Sequence, residues 1–118
     1  MNRIKELQDQ IKLIREEEEA QAKEKYKYLV GTCLRSAFTS FHLVTAIDRA
    51  DGESVTYECV SIYMDERFDD SETQISNKSW GFIEIEDLER CKISKAEFYR
   101  AMEKALKRIE LSAQIQLI

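Results

Sequence analysis

The chain has 118 residues, of which 43% are hydrophobic and 35% are charged, and its formal net charge is −5. This length supports one folded unit with its own core, and this composition excludes a wholly disordered chain. No apolar run approaches the ~20 residues that span a bilayer, and the charged N-terminus does not fit a signal peptide. We therefore expect a cytoplasmic protein that makes no membrane contact.

The charges are distributed unevenly along the chain. Residues 1–27 carry seven basic and seven acidic side chains, residues 48–90 carry four basic and thirteen acidic ones, and residues 91–118 carry six basic and three acidic ones. Nucleic-acid binding needs basic residues interleaved with aromatic ones, and the aromatic-rich middle of this chain is acidic. We therefore expect no direct contact with nucleic acid.

Residues 1–27 are expected to form one charged helix. Its apolar residues recur at alternating spacings of three and four, as at the a and d positions of a heptad repeat: Ile4, Leu7, Ile11 and Ile14. The next such positions, Glu18, Gln21 and Lys25, are polar. The helix either lies on its own domain or self-associates as a short coiled coil. We favour self-association, as a homodimer or a larger homo-oligomer, because the polar stretch would hold the apolar seam away from the domain.

The remainder, residues 28–118, is expected to form one compact β-rich domain. Val, Ile, Thr, Tyr, Phe and Cys dominate its first half, which is typical of strands. Asp51 and Gly52 indicate a hairpin turn, in which glycine supplies a positive φ. Residues 65–78 are polar and acidic, which indicates an exposed loop. The predicted strands are Tyr28–Ser36, Ser40–Asp48, Ser54–Met64 and Ser79–Ile85.

A C-terminal helix completes the predicted fold. Ser94 and Glu97 have the spacing of a capping box at its start. Its predicted buried stripe consists of Phe98, Met102, Ala105 or Leu106, and Ile109. The fold class is α+β: an N-terminal amphipathic or coiled-coil helix, three to four antiparallel strands and a C-terminal helix. The strands form either a meander with one face covered by that helix or a small SH3-like barrel, and we favour the meander.

No catalytic, metal or cofactor site is predicted. His42, the only histidine, lies in the middle of a strand and faces away from Phe41 and Leu43, with no glycine-rich elbow nearby. A zinc site needs several converging ligands, usually with two close in sequence. The cysteines are more than twenty residues apart, and we expect them to be reduced, packed thiols: Cys33, Cys59 and Cys91.

The acidic residues do not match known catalytic or metal-binding patterns. A calcium loop beginning at Asp65 would place Asp70 at the sharp-turn glycine and Ser76 at the bidentate glutamate, so the EF-hand template fails. Glu84 and Glu86 have the spacing of a carboxylate pair, but further acids beside them indicate an exposed acidic edge. We predict a partner-binding acidic surface formed by Asp65, Glu66, Asp69, Asp70, Glu72, Glu84 and Glu86.

Three short segments, residues 27–36, 45–48 and 93–98, carry a resemblance to a loose class of small phage and prophage proteins. These proteins have a Lys/Glu-rich N-terminal helix, a first strand of the form K-Y-x-x-G and a late helix that starts with I-S-x-x-E-F. The resemblance implies a mobile-element origin, a cytoplasmic location and binding to host or phage components. It implies no catalytic residue.

The expected function is a non-enzymatic protein–protein interaction module that binds a host or phage protein. An acidic surface can also imitate the phosphate backbone and occupy a basic groove of another protein. The alternative is therefore an inhibitor of a host defence system that mimics nucleic acid, of the anti-CRISPR or anti-restriction kind.

Overall fold

An open, five-stranded antiparallel sheet forms the centre of the molecule, with the strand order β4-β3-β2-β1-β5. The computed structural model describes residues 2–67 and 72–117, with side chains to residue 113. The α+β class is confirmed, and β1 to β4 pair in chain order as an open antiparallel meander and not as a closed barrel. The predicted three to four strands are five, because a short additional strand, β5, pairs with β1 at the edge opposite β4. The elements are α1 Asn2–Lys25, β1 Cys33–Ser36, β2 Ser40–Ala50, β3 Ser54–Tyr63, β4 Gln74–Glu84, α2 Leu88–Cys91, β5 Lys92–Ile93 and α3 Lys95–Leu117.

Two strands start five residues away from their predicted starts, whereas the other two differ from the prediction by at most two residues at one end. The first begins at Cys33 instead of Tyr28, because a 3-10 turn occupies Lys27–Leu29 and Gly31 adopts a φ of 91°. The fourth begins at Gln74, five residues before the predicted start. Its polar first half suggested a loop, but polar side chains are ordinary on a strand at the edge of a sheet.

The turn between β2 and β3 lies where it was predicted but forms differently. The carboxylate of Asp51 accepts hydrogen bonds from the backbone N–H groups of Glu53 and Ser54, at 2.7 and 2.8 Å. Gly52 does not have a positive φ, so the predicted glycine conformation is wrong. The aspartate side chain, which replaces a backbone carbonyl as acceptor, makes the reversal.

Each face of the sheet carries one hydrophobic cluster. On one face, here called the α3 face, Phe41 and Ile62 pack beneath Phe98 of α3. On the other, here called the Tyr57 face, Tyr57 packs in a cluster with Leu29 and with other buried residues from β2, β3, β4 and α2. The C-terminal part of β2 and the N-terminal part of β3 contribute to the cluster on the Tyr57 face, and the other ends of both strands contribute to the cluster on the α3 face. The packed elements therefore lie diagonally across the sheet.

Helix α3 begins as predicted, with the Ser94 hydroxyl accepting a hydrogen bond from the Glu97 backbone N–H at 3.1 Å. Its buried stripe agrees with the prediction at Phe98 and at Ala105, which was one of two alternatives, and it also includes Ala101, which was not predicted. Met102 is half-buried, whereas the other alternative, Leu106, is 53% exposed and Ile109 is 38% exposed. Alanines in the stripe let the helix approach the sheet closely, which leaves the larger residues on its flank.

Candidate functional site

The first half of α1 carries an apolar seam with no protein against it. The whole helix buries no residue, and the seam side chains are at least half exposed: Ile4 66%, Leu7 51%, Ile11 50% and Ile14 55%. The second half approaches the domain, where Glu16, Ala20 and Lys23 border a cleft that is closed on its other side by the β2–β3 hairpin. The structure therefore presents the seam on a projecting arm, and it does not lie on its own sheet.

Leu13 on the same helix can be compared with the seam residues. Leu13 is as apolar as the seam residues and is 63% exposed, but it lies outside the a and d positions. Any association that uses the heptad seam depends on Ile11 and Ile14 and is insensitive to Leu13.

The predicted acidic surface divides into two groups at opposite ends of β4. Asp65, Glu66 and Glu72 precede the strand, whereas Glu84 and Glu86 lie at its end, about 33 Å away at ~3.3 Å per residue. Asp69 and Asp70 lie outside the described residues. In the first group, Asp65 forms an ion pair of 3.0 Å with Arg67, whose hydrogen bonds and charge hold the pKa of this carboxylate below its usual value.

The second acidic group is the more concentrated. The carboxylate oxygens of Glu84, Glu86 and Asp87 lie within 4.8 Å of one another, and Glu86 belongs to the turn after β4 and not to the strand. A hydrogen bond with Glu86, together with its negative charge, raises the pKa of Glu84. Among the described residues this is the one place where three ligand-type side chains could share a cation. His42 does not line the cleft beside it, which is bordered by Gly52, Glu53, Ser54, Phe82, Glu84, Ile85 and Glu86.

His42 lies on the Tyr57 face, where Nδ1 lies 2.5 Å from the hydroxyl oxygen of Tyr57. It faces away from Phe41 and Leu43, as predicted, since these belong to the cluster on the α3 face. Burial lowers the pKa of His42 and raises that of Tyr57. Both groups are therefore neutral at pH 7, and the pair joins β2 to β3 through a partly buried hydrogen bond.

The cysteines match the prediction of packed thiols. Cys33 and Cys59 are buried, Cys91 is half-buried, and all three are free. Burial raises the pKa of the Cys59 thiol to about 11 and also raises that of Cys33. These two thiols stay protonated at neutral pH, in the form that packs as a small apolar group.

An exposed aromatic pair escaped the sequence reasoning. Trp80 and Phe82 are exposed by 57% and 62%, although they lie within a strand. Their cross-strand partners are polar: Glu58 stands opposite Trp80 and Thr56 stands opposite Phe82. The polar residues at these two positions of β3 could have indicated, from the sequence alone, that no hydrophobic core covers this part of the α3 face.

Comparisons with known proteins supply no relative for this chain. No protein-family model matches it, and neither curated proteins nor solved structures contain a significant match. The resemblance to phage proteins therefore stays a prediction. No helix among the described residues is long and apolar enough to cross a membrane.

Proposed function

We propose that this chain is a non-enzymatic interaction module that self-associates through α1 and presents its β-rich domain to a protein partner. One observation carries the proposal: a 24-residue helix that buries no residue and displays a two-heptad apolar seam. Apolar side chains concentrated on one stripe of a projecting helix indicate a contact surface.

The seam also sets the expected affinity. Burying the exposed half of each Ile or Leu contributes about 1 kcal/mol, so eight side chains in a dimer contribute roughly 8 kcal/mol. Loss of translational and rotational freedom costs at least ~4 kcal/mol. The difference is at most about 4 kcal/mol, which corresponds to a dissociation constant of about 1 mM or higher. Association through this seam is therefore weak and reversible, and depends on protein concentration.

Sedimentation equilibrium between about 20 μM and 1 mM tests the proposal. The contribution of α1 is isolated by comparing Ile11→Asp with Leu13→Asp, which adds the same charge to the same helix outside the seam. We expect Ile11→Asp to weaken association by at least tenfold and Leu13→Asp to leave it unchanged. Equal effects of the two substitutions, or no effect of either, would contradict a heptad seam.

The crowded carboxylates at the end of β4 favour the second candidate, an acidic mimic of nucleic acid. Glu84, Glu86 and Asp87 place three like charges together, and an ion pair with Arg90 compensates only Asp87. A basic groove on another protein would relieve this repulsion. Such binding should weaken steeply between 50 and 200 mM salt and on double substitution Glu84→Gln, Glu86→Gln. Partner binding that survives both changes excludes mimicry by this group.

A further inference from the structure

The outer edge of β4 and its aromatic residues form a surface separate from α1. β4 is the last strand of the sheet, so its outer row of backbone groups pairs with no other described strand. Trp80 and Phe82 project from this edge strand on the α3 face, and both are more than half exposed. A long edge strand that also displays aromatic side chains favours pairing with another strand.

Helix α3 presents an apolar flank toward these aromatics. On its opposite flank, Arg108 donates a hydrogen bond of 2.8 Å to the carbonyl oxygen of Asp65, just beyond the C-terminal end of β3. Successive helix residues are rotated by about 100°, so Tyr99 and Leu106 lie on the side away from Arg108. That side faces the other half of β3, whose neighbours on β4 are Trp80 and Phe82.

The C-terminal half of α3 extends beyond its own core. Ala105 is the last residue of α3 that is buried among the described side chains, since none from 106 to 113 is buried. The helix has 23 residues and is about 34 Å long, whereas five strands span only about 19 Å. Leu106, Ile109 and Leu111 are exposed along this extension.

We propose that a second copy of this chain pairs antiparallel along β4, so that two sheets join into one of ten strands. A two-fold axis perpendicular to the sheet keeps both α3 helices on the same face. It also brings the covered N-terminal half of one β4 beside the uncovered C-terminal half of the other. The extension of α3 from each copy then covers Trp80 and Phe82 of the other copy.

The area available for burial favours a second copy as the occupant. The two aromatics expose roughly 250 Å² and the apolar residues on α3 add a similar or larger area. Two copies together would bury about 1,000 Å², the area that a specific interface should clear.

This surface is independent of the proposed function, because it shares no residue with the seam of α1. A chain with two separate two-fold surfaces assembles beyond the dimer, whereas loss of either surface stops assembly at the dimer. The two interfaces can therefore be removed one at a time.

Sedimentation of variants in an Ile11→Asp background tests the β4 interface. Phe82→Asp is compared with Phe38→Asp, since Phe38 is 76% exposed in the β1–β2 turn, away from the proposed interface. We expect a mass of twice 13.9 kDa for Ile11→Asp alone and with Phe38→Asp, and 13.9 kDa with Phe82→Asp. A monomeric Ile11→Asp protein at millimolar concentration, or dimers that tolerate Phe82→Asp, would overturn the proposal.

The fluorescence of Trp80 provides a second measurement, because the chain contains one tryptophan. Its emission in the Ile11→Asp background should shift to shorter wavelength as concentration rises, in step with the mass. Leu106→Asp should abolish the shift, because it removes apolar cover supplied by α3 of the other copy. A mass that doubles without a shift shows that the copies meet elsewhere, which also overturns the proposal.

Discussion

Gly81 is the position at which the structure makes its sharpest quantitative prediction. A Cβ at this residue would lie 2.4 Å from two ring carbons of Tyr57 and 2.5 Å from its hydroxyl oxygen. Tyr57 cannot withdraw easily, because it is only 2% exposed and is held by its hydrogen bond to His42. Overpacking costs about 1–3 kcal/mol, and loss of the hydrogen bond adds about 1 kcal/mol. Gly81→Ala should therefore destabilise the protein by roughly 2–4 kcal/mol.

Urea unfolding followed by far-UV circular dichroism measures this change. Gly52→Ala is the matched control, since a Cβ there meets no atom within 4 Å and its φ is not positive. It should alter the unfolding free energy by less than 1 kcal/mol. A Tyr57→Val background removes the ring, so Gly81→Ala should there cost less than 1 kcal/mol. A penalty of the same size with and without the ring would refute the steric explanation.

Three further predictions concern single residues. Gly31→Ala should destabilise the fold by about 1–2 kcal/mol in urea unfolding, because its φ of 91° is unfavourable for residues with a Cβ. Thr73→Val should increase the free energy of unfolding by up to about 1 kcal/mol, measured as a higher thermal midpoint. The reason is that the buried Thr73 hydroxyl has no hydrogen-bond partner among the described residues. Burial lowers the pKa of His42, so the unfolded chain binds a proton first as pH falls below ~6.5. Stability should therefore decrease on acidification from that pH to the lower native pKa, and a His42→Asn variant should lose this component of its pH profile.

The sequence was most informative where one physical signal dominated. The heptad spacing and strong helix formers specified α1, and the capping pair Ser94 and Glu97 located the start of α3. The strand pattern placed β2 and β3 almost at their observed bounds, because their alternating apolar residues contact core on both faces. These elements are determined by local pattern, which is what a single sequence contains.

The predictions that were wrong or missed concern features that depend on tertiary context. Polar residues 74–78 read as loop because nothing local distinguishes an edge strand from an exposed connection. The buried stripe of α3 was predicted to extend to Ile109, with Ala105 and Leu106 as alternatives, but the helix buries no described side chain after Ala105. How far a helix stays on its own sheet depends on the width and position of that sheet. The exposure of Trp80 depends on the same context, because coverage of a sheet face is set by where a distant helix crosses it. The polar partners Glu58 and Thr56 on β3 were the available local signal.

The diagonal packing of the two clusters has a consequence for the dynamics of the fold. Release of α3 would expose only the cluster around Phe98, and release of the turn around Leu29 would expose only the cluster around Tyr57. Such partial openings cost less than global unfolding and occur more often. The amide protons between β2 and β3 remain bonded in either open form. They should exchange with solvent most slowly, at a rate set by the unfolding of the whole domain.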